Sequence, residues 1–166
     1  LSTASPELFA ATAKRMADAG VAVTVLPSTD LFLMGRVDEQ SIKRGVTAAH
    51  KLLKHGVNCS LSTNNVLNPF TPFGDCSLLR MANLYANICQ VGAKAEVRDC
   101  FDMITIRSAG ILGLEDYGIA VGASADLVVI DAAAPETAVA ELAPPLFGFK
   151  RGRMTFKRAP VEVLRP

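Results

Sequence analysis

The apolar run from Val21 to Leu26 constrains the fold of this chain more than any other segment. It is rich in β-branched residues and almost uninterrupted by polar ones, which is typical of a strand buried on both faces, and Pro27 ends it. A second short strand is predicted at residues 57–61, where apolar and polar side chains alternate so that Asn58 and Ser60 share one face. A strand buried on both faces needs helices to cover it, so the sequence predicts an α/β fold.

A helical pattern precedes each of these strands. Ser5 and Pro6 have the positions of an N-cap and a first-turn proline, and the helix that they begin is expected to end at Gly20. The order α-β-α-β predicts parallel strands joined by helical crossovers, with a loop at residues 31–36. The second helix, which Gly56 follows, is predicted from apolar residues at helical spacing: Ile42, Val46, Ala49 and Leu53.

Two more helices are predicted after the second strand. The later one extends from Val97 to about Ser108, with Phe101 and Ile104 facing inward. The earlier one is expected to be capped by Asp75 and to end at Gly92, because both residue types are typical of helix ends. Its apolar stripe consists of Leu78, Met81, Ala82, Tyr85, Ile88 and Cys89.

Past these helices the pattern changes to turns rich in glycine and to short strands. A strand ending at Asp131 is followed by a proline-rich link and by two further strands at residues 146–150 and 154–157. The segment Arg151-Gly152-Arg153 separates the last two strands, and this order of strand, turn and strand predicts a hairpin.

The change of pattern divides the chain into an α/β portion, residues 1–112, and a β-rich tail, residues 113–166. Two or three β/α units do not close a barrel, which requires eight units and roughly 250 residues. The first portion is therefore either a small open sheet or the last piece of a barrel whose beginning is absent.

The composition of the 166 residues predicts one globular domain, because half of them are hydrophobic and the net charge is only +1. Interspersed charges of both signs create no field for nucleic acid or for a membrane surface, and no apolar run approaches the roughly 20 residues of a membrane span. The first residue is Leu1 rather than Met, so the chain is expected to begin partway through a longer product. The cysteines form no CxxC pair, which indicates reduced, buried thiols in a cytoplasmic protein: Cys59, Cys76, Cys89 and Cys100.

A long polar loop, residues 62–74, follows the second strand. Asparagine is a common turn residue, so a simple connection is one interpretation of the loop. Long ordered loops at the ends of parallel strands are also where α/β enzymes place functional side chains. Both interpretations stay open for a loop that contains Asn64, Asn65, Asn68, Pro69, Phe70, Pro72 and Phe73.

Other candidate ligands and charges have structural explanations. His50 and His55 are five residues apart on a predicted helix, a spacing that does not stack them on one face, so a helix-surface role is expected for both. Asp126 and Asp131 bracket a strand, and a turn at the strand edge is favoured over metal binding. The basic residues of the hairpin are expected to be solvated and to discourage edge pairing: Lys150, Arg151, Arg153, Lys157 and Arg158.

Several segments, in the same order along nearly the whole chain, resemble the cytosine deaminase branch of the metal-dependent amidohydrolases. Residues 56–70 resemble that family's last-strand signature, in which a Gly-Val-Asn strand leads to an Asp-rich loop and a Pro-aromatic pair. Residues 117–131 are similar to the return from the barrel to a small β-sandwich, and Gly152 and Arg153 to its closing hairpin. Residues 31–36 are similar to the loop after the seventh strand.

The resemblance implies a TIM-barrel-type (β/α)₈ fold. Residues 1–112 would be its last β/α units, an incomplete barrel, and residues 113–166 would be the C-terminal strands of the small β-sandwich. It also implies one zinc or iron ion, bound in the family by an HxH pair, a later histidine and a final aspartate. A metal-bound hydroxide, formed because the metal lowers the pKa of its water to about 7, would hydrolyse a C–N bond in a nitrogen heterocycle such as cytosine, while a carboxylate moves the proton.

Two departures from the family pattern concern the metal. The histidine ligands would lie before Leu1, and Asn64 occupies the position of the family's aspartate. A neutral amide cannot act as a general base and is a poor zinc ligand compared with carboxylate. The implied site residues are Asn64 at the metal-facing position, Asn65, which would bond the loop backbone or a ring nitrogen, and Phe70, which would stack on the substrate ring or pack in the core.

Three interpretations of the function therefore remain. The chain is the C-terminal part of a working amidohydrolase, part of a degenerate relative that binds a heterocycle without turning it over, or a structural scaffold in which the asparagine loop is only a turn. The isolated chain is expected to be inactive. Its expected partners are the heterocycle in the parent protein and a cover for the open strand edges, supplied by the missing N-terminal barrel portion or by a second copy. A compact monomer in gel filtration would contradict the expectation of a cover.

Overall fold

The strands form two sheets in the computed structural model, which describes residues 1–42, 45–63, 66–159, 161, 162 and 164. One sheet is a parallel pair and the other is an antiparallel sheet of three strands. The elements, in chain order, are α1 (Pro6–Asp18), β1 (Val23–Val25), α2 (Pro27–Leu33), α3 (Ala49–Leu53), β2 (Cys59–Leu61), α4 (Leu78–Ile88), α5 (Lys94–Asp102), α6 (Ile106–Ile111), β3 (Leu127–Ile130), α7 (Pro135–Glu141), β4 (Pro145–Lys150) and β5 (Arg153–Lys157).

Helix α1 begins and ends where local signals predict. The Ser5 hydroxyl accepts a hydrogen bond from the Leu8 amide at 3.3 Å, and Pro6 occupies the first turn. Gly20 follows the helix with φ +65°, a left-handed conformation that glycine adopts without steric cost. The predicted start and end of this helix are confirmed.

Strands β1 and β2 pair in parallel, as the alternation of helices and strands predicts. Thr24 lies opposite Ser60 in the register, and their hydroxyl oxygens are 2.8 Å apart. All three residues of β2 are buried, Ser60 included, so the polar face predicted for this strand lies inside the protein. Both strands are shorter than predicted. The described residues form a mixed α/β arrangement without a closed barrel.

Two predictions about the segment between these strands are wrong. Residues 31–33, predicted as the start of a loop, belong to helix α2, which begins at Pro27 because a first-turn proline has a backbone angle already suited to a helix. Helix α3 spans only residues 49–53, and Ile42 and Val46 lie outside it. Val46 is nevertheless buried. Spacing alone could not distinguish a buried residue in an extended segment from one on a helix.

Helix α4 has the predicted apolar stripe but different ends. Met81, Ala82 and Tyr85 are buried. The N-cap is Ser77, whose hydroxyl accepts a hydrogen bond from the Arg80 amide at 3.2 Å. Asp75, predicted as the cap, instead accepts a hydrogen bond from the Ser77 amide and forms an ion pair with the Arg80 guanidinium. At the other end the helix stops at Ile88, before a left-handed Gln90 rather than at Gly92.

The single helix predicted from Val97 to Ser108 is two helices, α5 and α6. Between them the Met103 carbonyl accepts a hydrogen bond from the Leu61 amide of β2 at 3.1 Å. The Thr105 hydroxyl donates to the Phe101 carbonyl at 2.9 Å, which also competes with the helical ladder. A tertiary contact with the strand therefore replaces helical hydrogen bonding at this break.

The C-terminal sheet contains the predicted hairpin. Strand β4 pairs with β3 on one side and with β5 on the other, all antiparallel. Arg151 and Gly152 both have positive φ, as a two-residue type I′ turn requires. The proline-rich link before the hairpin contains helix α7, which was not predicted. It packs on α5 and α4, where the Asn83 side-chain amide donates to the Val139 carbonyl at 2.8 Å.

The core and the exposed apolar surface lie in different parts of the chain. The core is built from β1, β2 and the helices that face them. In contrast, the C-terminal sheet exposes apolar side chains. Val128 of β3 is 59% exposed. Every residue of β5 is exposed, including Met154 at 55% and Phe156 at 42%. Among the described residues, no helix has both the length and the apolarity to cross a bilayer.

Candidate functional site

The carboxyl ends of β1 and β2 are neighbours, because the strands are parallel and Val25 lies opposite Leu61. Helix α2 follows the first strand, and the long polar loop of residues 62–74 follows the second. The Ser62 amide donates to the Val25 carbonyl at 3.0 Å, which extends the strand pairing into this loop. Ligand sites in open α/β sheets lie at such carboxyl ends. This edge is therefore the candidate site.

Hydroxyl groups connect α2 to the loop after β2. The Thr29 and Thr71 oxygens are 3.0 Å apart, and both residues are buried. The Ser28 and Thr63 oxygens are 3.4 Å apart. The two strand-end segments are thus joined to each other by side chains rather than only by the strands that precede them.

The loop contains a tight turn at residues 68–71. The backbone amides of Asn68 and Thr71 donate to each other's carbonyl oxygens at 3.2 and 3.1 Å. The Asn68 side-chain oxygen accepts hydrogen bonds from the Phe70 and Thr71 amides at 3.0 and 3.1 Å. This use of asparagine to close a turn is the local chemistry that the sequence indicates.

Phe70 lies in this turn and its side chain is 59% exposed, so its ring does not pack in the core. Phe73, three residues on, is 69% exposed, but its ring meets that of Phe32 edge-on, with centroids 6.1 Å apart. The Arg36 guanidinium lies over the Phe32 ring at 5.0 Å. The Phe73 ring is therefore a further contact of the loop with α2, while Phe70 stays accessible.

Asn64 and Asn65, the other two predicted site residues, lie outside the residues that the structure describes. Their assignment to the metal-facing and ring-binding positions stays a prediction. The described residues nearest to them in sequence are Thr63 and Val66.

One of the two histidines, His50, is not at the surface as predicted. His50 is 4% exposed, and its Nδ1 lies 2.7 Å from the Tyr85 hydroxyl oxygen, which also accepts the His50 backbone N–H at 3.0 Å. Burial lowers the pKa of His50. The surface prediction is wrong for His50 because the inner face of α3 packs against α4. His55 is exposed, and its ring meets Phe9 edge-on, so the two histidines form no pair.

The described part of the chain contains no group of three or more histidine, cysteine, aspartate or glutamate side chains placed to hold a metal. Asp126 has a structural role in the hairpin, since it forms an ion pair with Lys150 and accepts the Arg151 amide at 2.7 Å. The Lys150 contact is the largest cause that lowers the pKa of Asp126. Asp131 is exposed, and its amide donates to the Pro144 carbonyl.

The four thiols are free, as predicted, but their environments differ. Burial raises the pKa of Cys59 to about 11 and that of Cys100 to about 12, whereas Cys89 is half-buried. The prediction of burial is wrong for Cys76, which is exposed in the segment between the turn and α4. These thiols do not form part of the candidate site.

Sequence reasoning missed three residues at this edge. Thr29 and Thr71 are 42 positions apart, so no local pattern could pair them. Asp30, also on α2, is half-buried, and burial raises the pKa of its carboxyl group. The sequence does contain a pattern that could have indicated Asp30, because a polar Ser-Thr-Asp run follows the end of a buried strand. Two surface cavities of about 430 and 440 Å³ are lined by other parts of the chain.

Comparison with known proteins shows that the chain is similar to amidohydrolases and deaminases. The chain is 32% identical over 108 residues to N-isopropylammelide isopropyl amidohydrolase from Pseudomonas sp. (strain ADP), a match covering 64% of this chain and 27% of that protein. It is 32% identical over 125 residues to pterin deaminase from Rhizobium rhizogenes, covering 74% of this chain and 28% of that protein. The chain thus spans little more than a quarter of the length of these relatives.

Comparison with solved structures also gives a deaminase. The structure of 5-methylcytosine deaminase from Klebsiella pneumoniae with 5-fluorocytosine superposes with a TM-score of 0.86 at 29% identity, over 96% of this chain and 39% of that one. Residues 2–156 of this chain match the model of the amidohydrolase family. This match covers most of the chain, so the protein belongs to the amidohydrolase family, as its resemblance to the cytosine deaminase-like branch predicts.

Proposed function

We propose that this chain forms one side of the substrate pocket of a protein that hydrolyses a C–N bond in a nitrogen heterocycle. Residues 1–112 would supply the last β/α units of a barrel, and residues 113–166 the C-terminal strands of a small β-sandwich. The observation that carries the proposal is the turn that presents Phe70 at the carboxyl end of β2, in a member of a family that includes heterocycle deaminases.

Phe70 has the properties of a stacking residue. It is accessible, and the hydrogen bonds of Asn68 fix the backbone on which it stands. Planar heterocycles gain from offset or edge contacts with an aromatic ring as well as from burial of apolar area. Asn64 and Asn65 precede the turn by a few residues, and their amides offer both donors and acceptors to ring nitrogens and exocyclic groups.

The zinc or iron ion expected from the resemblance does not fit the residues that the structure describes. They include no cluster of three or more metal-ligating side chains. The Nδ1 atom of the buried His50 already lies at hydrogen-bond distance from the Tyr85 hydroxyl. Asn64 would have to share a metal with ligands from outside this chain, and its neutral amide is a weak donor for zinc. We therefore assign no step of the reaction to a metal here, and we expect the isolated chain to be inactive.

A direct test uses the purified 166-residue chain with cytosine, pterin or N-isopropylammelide, with and without added Zn²⁺ or Fe²⁺. We expect no release of ammonia or amine. We also expect a ring titration followed by NMR to shift the Phe70 resonances, and Phe70→Ala to abolish binding, while Phe156→Ala, an exposed phenylalanine on β5, leaves it unchanged. Metal-dependent ammonia release would overturn the expected inactivity. Equal binding by the Phe70→Ala variant would overturn the role of Phe70.

A degenerate relative that binds the ring without hydrolysis is the alternative. Asparagine at position 64, where the family has a metal-binding aspartate, favours it. The discriminating measurement is the metal content of a full-length protein that contains this chain. Stoichiometric zinc or iron supports the working hydrolase, and metal below one tenth of an equivalent supports the degenerate relative.

Three features support a partner surface on this chain. The β1–β2 pair has no third strand among the described residues, so backbone groups of β1 lack a neighbour on one side. The C-terminal sheet exposes apolar side chains. In the described part of the chain, Arg107 Nε is buried without a hydrogen-bond partner, which is costly for a charged group. Either a further barrel portion or a second copy would satisfy these groups.

The association is tested by sedimentation of the chain over a hundredfold range of concentration. We expect self-association, because a chain without its complementary portion covers the same surfaces with another copy. A compact monomer throughout the range would contradict this expectation.

A further inference from the structure

We propose that Thr29 and Thr71 are positioning residues, and that their hydroxyl pair holds the turn of residues 68–71 in one preset place so that Phe70 meets a ligand ring without first being ordered. The inference rests on the proposed function, because it explains how the site in which Phe70 stacks is kept in shape.

The hydrogen bonds within the turn close it locally: the Asn68 and Thr71 amides and carbonyls pair, and the Asn68 side-chain oxygen accepts the Phe70 and Thr71 amides. The Phe70 bond is exposed and the Thr71 bond is half-buried, so these bonds would open readily without an anchor on the rest of the fold. The Thr71 side chain supplies such an anchor, because it reaches across to α2.

The anchor is buried. Thr71 is 1% exposed and Thr29 is 7% exposed, with the two hydroxyl oxygens 3.0 Å apart. Away from water a hydrogen bond is electrostatically stronger. The pair therefore resists displacement of the turn.

Phe70 directly precedes this anchored residue and is itself 59% exposed. Three residues after Phe70, the Phe73 ring meets that of Phe32 of α2 edge-on. The Phe70 ring thus stands on a segment held at positions 71 and 73 while making its own surface available. A site ordered in advance loses less conformational entropy on binding, which raises affinity without any added contact.

Removal of the Thr71 hydroxyl with little change of shape, Thr71→Val, is expected to increase the open population of the turn about tenfold, the effect of losing one buried hydrogen bond. Thr71→Ser keeps the hydroxyl and should restore the wild-type value. Ser60→Ala removes the partner of a similar pair, since the Ser60 and Thr24 oxygens are 2.8 Å apart between the strands, and serves as the matched control.

The experiment measures, in the 166-residue chain, amide hydrogen exchange at Phe70 and Thr71 and the rate of chymotrypsin cleavage after Phe70. Cleavage reports the open population when opening is fast. We expect both rates to rise about tenfold in the Thr71→Val variant, to return towards wild type in Thr71→Ser, and to stay unchanged in Ser60→Ala. Unchanged rates in Thr71→Val, or an equal rise in Ser60→Ala, would overturn the anchor.

A cytosine titration of the same variants separates this inference from the function on which it rests. Weaker binding by Thr71→Val than by wild type, with Thr71→Ser restored, supports the positioning role. Equal binding despite faster exchange overturns that role. If the wild-type chain binds neither cytosine nor pterin, the proposed function fails, whereas the exchange rates still decide whether the anchor exists.

Discussion

Removal of the Tyr85 hydroxyl oxygen, a change of one heavy atom, should lower the stability of the core strongly. Tyr85 is fully buried on α4, and its oxygen accepts the His50 backbone N–H at 3.0 Å and lies 2.7 Å from His50 Nδ1. Tyr85→Phe keeps the ring and removes this oxygen. Two polar groups of His50 then lose their partner inside a region that water does not reach.

The size of the effect follows from those two groups. Each buried donor or acceptor left without a partner costs about 1–3 kcal/mol. Some relaxation of α3 is expected, because it is only a five-residue helix. We therefore expect Tyr85→Phe to lower the free energy of unfolding by about 2–4 kcal/mol, a large share of the 5–15 kcal/mol typical of a domain.

Urea denaturation followed by circular dichroism measures this loss. The midpoint should fall while the slope with urea concentration stays unchanged, since the surface exposed on unfolding is the same. Tyr117→Phe provides the control, because it makes the same chemical change at a residue that is 40% exposed, and its effect should stay within about 0.5 kcal/mol. A Tyr85→Phe loss no larger than that of the control would refute the reasoning about His50.

Other predictions concern pH, packing and thiol reactivity. Burial lowers the folded-state pKa of His50, so the unfolded chain binds a proton more readily; stability in urea should fall as the pH drops below about 6.5, the ordinary histidine pKa, and a flat profile would contradict this. A Cβ at Gly148 would overlap the Phe156 ring, so Gly148→Ala should cost about 1–3 kcal/mol in urea, and much less in a Phe156→Ala background. A thiol reagent at pH 8 should label Cys76 within seconds and the buried Cys59, with its pKa of about 11, only on unfolding, as peptide mass spectrometry would show.

Elements whose signals are local could be predicted from the sequence. The start of α1 depends on Ser5 and Pro6, and the hairpin turn depends on Gly152, all within a few residues of the feature that they determine. The break between α5 and α6 could not be predicted, because its cause is the Leu61 amide, 42 residues before the Met103 carbonyl that it binds. Apolar spacing continues through this break, so the pattern alone reads as one helix.

The same distinction holds for the candidate site. Asparagine at position 68 predicts a turn, and the structure has one, because the side chain bonds to amides two and three residues ahead. The depth of His50 and the pairing of Thr29 with Thr71 depend on which helix packs against which, and i to i+4 patterns carry no such information. The ring-stacking role of Phe70 stays a prediction from the family resemblance, and the structure shows that its ring is accessible.

The features that support a partner surface and the bonds that hold the turn of residues 68–71 lie in different parts of the chain. The proposed partner surface rests on three features of the described residues: β1 has no third strand beside it, the sheet around Phe156 is exposed, and Arg107 Nε is buried without a hydrogen-bond partner. The turn after β2, in contrast, is closed by its own hydrogen bonds and anchored to α2 within the chain. If a further barrel portion or a second copy covers these features, association should raise the free energy of unfolding while leaving exchange of the Thr71 amide unchanged. A turn that became protected only on association would mean that the partner, rather than Thr29, fixes its position.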